Sequence, residues 1–251
     1  PRDGRLVTGF EAMEHPEYLP FFLPGGTRTR QSASMDPSGG NADGVYAAWI
    51  RYKDTNGDWV IFDETGPGCL YRQQMNVWWG GKLCKGPMDP KARLRYYFDN
   101  EASPRLDVTF NQLFGWREQY TAPFTPPVAF FDNFRMAYRA NRFAILYYPL
   151  PFQKRLKITM PPQPEDNCKW FQFTGLAYPS DTKVPTWTGT NTDSTIARKQ
   201  WDNPGTDPKN PQGSVSLQKN QEIADGSSAD IVDLTGAGSL ASLRLTLDPY
   251  T

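Results

Sequence analysis

Apolar and polar residues alternate with a period of two along much of this chain, the pattern of half-buried β-strands. Residues 45–52 open the series. Asn56-Gly57 follows, a strong hairpin-turn signal, and residues 59–62 return. Further strands are expected at 69–75, 92–98, 105–110, 128–131, 143–148, 155–160 and 170–176. Many short strands at regular spacing predict an all-β sandwich, most simply a jelly roll over residues 45–177.

The pattern is interrupted twice. Residues 1–44 read as an irregular N-terminal extension followed by a polar loop, with Pro16, Pro20 and Pro24 breaking any helix and Tyr18, Phe21 and Phe22 pinning the segment to a core. Residues 178–213 are rich in Pro, Thr, Asn, Asp and Gly and read as a linker with one short helix at 194–200. Strand signals resume at Ser214. An internal repeat explains them: Asp63-Glu-Thr-Gly-Pro-Gly-Cys-Leu70 resembles Asp233-Leu-Thr-Gly-Ala-Gly-Ser-Leu240, and a strand with alternating arginine follows each, carrying Arg72 and Arg244. Residues 214–251 are therefore expected to begin a second jelly roll, whose strand at 239–247 pairs with another polypeptide. That partner is a C-terminal-half chain or a neighbouring copy.

Composition narrows the class. Among 251 residues, Lys plus Arg and Asp plus Glu both number 27, so no charge excess points to nucleic acid. No apolar run approaches the roughly 18 residues of a membrane span. No signal peptide opens the chain, so any export signal would have been removed before residue 1. Aromatic residues make up 14% of the chain, and Gly 21 and Pro 23 suit tight turns between strands. Aromatic faces also stack on sugars, although core packing accounts for most of them. Cys69 and Cys84 flank a hairpin-length stretch, so a disulfide between them is one reading and free thiols the other; Cys168 is left over. His15 is the single histidine, which argues against a Ser-His-Asp triad or a histidine-rich metal site. Acid–base chemistry would fall to carboxylates. No metal and no cofactor is expected.

Residues 28–44 hold the densest candidate chemistry: two arginines, three serines, two aspartates, an asparagine and three glycines. Arg28 and Arg30 would clamp oxygens, Ser34, Asp36, Asn41 and Asp43 would read hydroxyls, and Gly39 and Gly40 would let backbone approach a ligand. A solvated loop with its own turn network is the alternative. Asp54-Thr-Asn-Gly-Asp58 resembles the start of a calcium loop, but Trp59 stands where glycine belongs and Thr65 where glutamate belongs; a hairpin turn explains the same residues. Asp36, Asp43 and Glu64 are the carboxylates considered for sugar hydrolysis. Residues 147–155 form an aromatic, proline-stiffened run, either a wall of a sugar cleft or a protected edge strand.

Four blocks in order resemble glycoside hydrolase family 172, formerly domain of unknown function 2961. They are residues 27–44, Gly66-Pro-Gly68, residues 94–99 with Leu113-Phe-Gly115, and Tyr148-Pro-Leu-Pro-Phe-Gln-Lys154. The resemblance implies a double jelly roll, trimer-based homo-oligomers, secretion to the extracellular space, and retaining cleavage or transfer of fructofuranosides or D-arabinofuranosides by two glutamates. The family's glutamate blocks, Gly-Glu-Gly-Asp and Gly-Thr-Gly-Thr-Glu-Asp-Tyr, are not in this chain; Gly189-Thr-Asn-Thr-Asp193 is a faint echo of the second. Met35 stands where the family has tyrosine, which alters one expected substrate contact. Catalytic residues are therefore unassigned. Three readings follow: one part of a furanoside-acting hydrolase, an inactive jelly-roll protein assembled into rings, tubes or shells, or a glycan-binding module.

Overall fold

The computed structural model describes residues 6–18, 23–40, 43, 50–78, 92–109, 113, 142–162, 170–189, 196, 206, 207, 209, 214–236 and 238–246. They form an all-β sandwich of two antiparallel five-stranded sheets. One sheet runs β1 (Arg28–Ala33), β10 (Phe171–Ala177), β4 (Gly68–Trp78) and β7 (Arg142–Leu146), with β8 (Leu150–Phe152) also paired to β4. The other runs β2 (Tyr52–Lys53), β3 (Trp59–Thr65), β9 (Arg155–Met160), β5 (Arg93–Phe98) and β6 (Leu106–Thr109).

The core follows from the period of two. On β5, Leu94, Tyr96 and Phe98 face inward; on β9, Leu156, Ile158 and Met160 do; on β10, Phe171 and Phe173 do. Truncating any of the buried leucines to alanine should cost about 2–5 kcal/mol. Within this interior Tyr96 donates to Gln73 Oε1 at 2.7 Å, joining the two sheets. The Gln73 Nε2 group is buried without a partner.

The glycines of the Gly66-Pro-Gly68 block answer to close packing. A Cβ on Gly66 would lie 2.8 Å from the Gln153 carbonyl oxygen, and one on Gly68 would lie 2.6 Å from the Phe152 ring. The β3–β4 corner thus seats against the turn after β8. Asp99, at the end of β5, accepts from the Lys154 amide at 2.6 Å and the Thr186 hydroxyl at 2.5 Å. Three of the recognised blocks therefore meet at one corner, where they build structure. The second copy of the repeat shows no such seat among the described residues: a Cβ added at Gly236 or Gly238 would meet nothing within 4 Å, and residues 214–236 and 238–246 carry no strand.

Several expectations need correction. The N-terminal extension is not wholly irregular: Phe10–Glu14 is a short α-helix and Pro16–Tyr18 a 3-10 turn. Pro16 ends the helix rather than preventing it, since a residue before proline is driven out of helical geometry. Residues 28–33 of the polar segment are an edge strand. Cys69 is a free, buried thiol, pushed up to about 12 by its burial, so it forms no disulfide with Cys84, which lies outside the described residues. The 54–58 turn is a hairpin: the Asp54 carboxylate accepts from the amides of Asn56 and Asp58 at 2.9 and 3.0 Å. Of the expected 45–52 strand only residues 50–52 are described, and there the strand begins at Tyr52 as β2; only Ile196 of the expected 194–200 helix falls among the described residues, and the 128–131 strand lies outside them. Residues 178–188 run along the sandwich, with Tyr178, Val184 and Trp187 buried.

Candidate functional site

β1 leads directly into the polar loop. Ser34 extends its pairing one step past the strand end: its amide donates to the Phe171 carbonyl at 3.1 Å, and its hydroxyl accepts from the Phe171 amide at 2.9 Å. The chain then turns on Asp36, whose Oδ1 accepts from the Ser38 amide at 2.9 Å and the Ser38 hydroxyl at 2.6 Å. This is an Asx turn, the reason aspartate, serine and glycine cluster here. Asp36 is only 7% exposed. A Cβ on Gly40 would sit 2.7 Å from Asp36 Oδ2, so a side chain there would displace that carboxylate. Gly39 adopts φ 78°, which favours glycine.

The loop closes on itself and on the sheet. The Asp36 amide donates to Asp43 Oδ1 at 2.5 Å, and the Trp170 indole donates to the Asp43 carbonyl at 2.5 Å. Trp170 immediately precedes β10, so the loop is held against the strand that neighbours β1. Ser34, Asp36, Gly39, Gly40 and Asp43 are brought together. Asn41 lies outside the described residues.

The arginines go elsewhere. Arg30 faces Glu64 at 3.9 Å and not the aspartates, and Arg51 pairs the same carboxylate at 2.6 Å. Arg28 is exposed at the far end of β1. Arg30, expected to clamp oxygens alongside Asp36 and Asp43, thus does so away from them: alternation on β1 points it toward the second sheet, where Ser32 also donates to the Ile61 carbonyl at 2.6 Å. Glu64, between two arginines, is held as a carboxylate partner rather than aimed at open space.

Next to this cluster, Arg155 grips Asp63 with two bonds of 2.6 Å, and Tyr52 donates to the same carboxylate. Burial pushes the Asp63 pKa up, but these donors outweigh it and hold the group below the usual aspartate value. Asp99 behaves alike: burial opposes, while the Thr186 hydroxyl and the Lys154 and Arg155 amides prevail. Neither is a proton donor at neutral pH.

The 147–155 run forms β8 and the corner already described, as the edge-strand reading has it. Beside it lies an open cavity of about 310 Å3 between Phe10, Pro149, Pro151 and Trp187. Among the described residues no group of acidic, histidine or cysteine side chains is placed to hold a metal ion. No described helix is long and apolar enough to cross a membrane.

Residues 25–195 match the first β-sandwich domain of glycoside hydrolase family 172. The chain belongs to that carbohydrate-active family. No curated protein matches it. The match covers the polar loop, its Trp170 anchor and the whole sandwich. Reasoning from sequence missed Trp170 and Arg51 as partners of the candidate residues. Trp170 stood in an expected strand, where its indole is indistinguishable from a packing residue until the loop is seen to return to it.

Proposed function

We propose that this chain is the sugar-holding sandwich of a secreted furanoside-acting protein, of the fructofuranoside or D-arabinofuranoside type. The observation that carries the reading is the Asp36–Asp43–Trp170 arrangement: a glycine-rich turn whose Asp36 amide meets the Asp43 carboxylate and whose Asp43 carbonyl meets the Trp170 indole. Carboxylate oxygens accept from vicinal hydroxyls, and an indole face packs on the C–H side of a sugar ring. Turnover with retention needs a carboxylic acid and a nucleophilic carboxylate about 5–5.5 Å apart. Asp36 and Asp43 are bound into the turn, Glu64 to arginines and Asp63 to Arg155. The catalytic glutamates are assigned to another part of the assembly. Calorimetric titration with 1-kestose and with a D-arabinofuranosyl trisaccharide tests the site: Asp36→Ala should weaken binding at least tenfold, and unchanged binding would remove the loop from the site.

A second reading, the structural assembly, is favoured by one observation. Val215, Leu217, Leu234, Leu240, Leu243 and Leu245 are all exposed in this chain. Exposed aliphatics in alternating positions suit pairing with a second-half chain or with neighbouring copies in a trimer-based oligomer.

A further inference from the structure

The outward face of the β1–β10–β4 sheet is divided in two. At one end Cys69 and Leu176 are covered by an apolar cluster with Leu6, Leu23, Tyr178 and Val184. There the N-terminal arm is fastened by hydroxyls: Thr8 bonds Tyr178 at 2.9 Å, and the Gly9 amide donates to Tyr71 at 3.0 Å. The other end is polar, and among the described residues no apolar cluster covers it: Gln31 and Gln172 are exposed, and Arg72, Gln74 and Thr174 half-buried. Two cross-strand rows define it, Gln31–Thr174–Arg72 and Ala33–Gln172–Gln74. Their neighbours Ser32, Phe173, Gln73, Phe171 and Met75 are buried in the core, so alternation places these rows outward.

The polar groups here are oriented. Arg72 donates to Gln172 Oε1 at 3.2 Å and also to Gln74 Oε1. With both amide oxygens turned toward the guanidinium, the two Nε2 groups point their hydrogens away from it. The same face continues along β10 to Trp170, two residues from Gln172, and so to the Asp43 end of the loop. From Trp170 to Thr174 is about 14 Å along the strand, and three strands span about 10 Å. That is room for more than one sugar ring.

We propose that this polar face binds the extension of a neutral oligosaccharide whose terminal residue sits at the polar loop. The chemistry fits a polyol: amide and guanidinium donors, a threonine hydroxyl and an indole, with no carboxylate at the β1, β10 and β4 positions of the two rows, the second of which continues to Ile145 on β7. Side-chain amides pair readily with hydroxyl oxygens, and prior fixing by Arg72 lowers the ordering cost on binding. A polypeptide partner would ask for an apolar centre, which the covered half has and this half lacks. The inference rests on the sugar-binding reading of the loop for the class of ligand, and the test separates the two.

The test compares a disaccharide and a pentasaccharide of the inulin series by calorimetry. Arg72→Ala and Gln172→Ala should each lower pentasaccharide affinity at least fivefold and leave disaccharide affinity unchanged, with thermal midpoints unaltered. Asp36→Ala should lower both. Loss from Asp36→Ala alone would overturn the face and keep the loop. Loss of pentasaccharide binding from the face variants alone would support the face and remove the loop. Binding of neither sugar, or a change of oligomeric state in the face variants with sugar affinity intact, would overturn the proposal.

Discussion

The Trp170 indole donates to the Asp43 carbonyl, and through it the polar loop is tied to the strand next to its own. A loop this rich in glycine and serine has high conformational entropy when free, so each tether decides how much of it is pre-set for a ligand. Trp170→Phe removes the hydrogen bond and keeps a ring. The loss should be about 1 kcal/mol, confined to the loop. Hydrogen exchange should quicken at residues 36–40 while the strands keep their protection.

Gly40→Ala should displace Asp36, since the added methyl would stand 2.7 Å from its carboxylate. Sugar affinity should fall as far as in Asp36→Ala, although no ligand-facing group has been removed. Gly39→Ala tests backbone strain instead and should cost about 1 kcal/mol. Titration and thermal unfolding of both variants check the pair.

Tyr96→Phe should be costlier than its single lost bond suggests. The Gln73 amide, already unpaired at Nε2, would be stranded at both ends in the core. A penalty of about 1–3 kcal/mol is expected in urea unfolding. Joining it with Gln73→Leu should recover much of the loss, because an apolar pair needs no partner.

Asp63 should contribute to acid stability. Its folded pKa lies below the ordinary aspartate value of 3.8, so the folded state binds the proton more weakly than the unfolded chain. The contribution is complete above 3.8 and is lost as pH falls through the lower folded value. Asp63→Asn should therefore lower stability at pH 7 and flatten the acid limb of the stability curve between about pH 5 and 2.

The sandwich was legible because its strands announce themselves. Residues 93–98 and 155–160 alternate cleanly, and Asn56-Gly57 marks its hairpin without ambiguity. β8 was legible only as one of two readings: Pro149 and Pro151 suit an edge strand or a cleft wall alike, and the structure places the strand at the margin of β4, where the Trp187 amide meets the Pro151 carbonyl. In the site, Asp36, Gly39, Gly40 and Asp43 were readable as a group, since each suits a turn and a ligand alike. Arg30 misled for a physical reason. Proximity in sequence to Asp36 does not survive an extended strand, which carries the two apart and turns Arg30 toward Glu64.

The central claim is that the Asp36–Asp43–Trp170 loop holds a sugar. Isothermal titration of the wild-type chain and Asp36→Ala with 1-kestose measures it most directly. Saturable binding by the wild type that weakens at least tenfold in Asp36→Ala, with both proteins folded at the temperature of the titration, is the expected result. Equal affinity in the two proteins would contradict it.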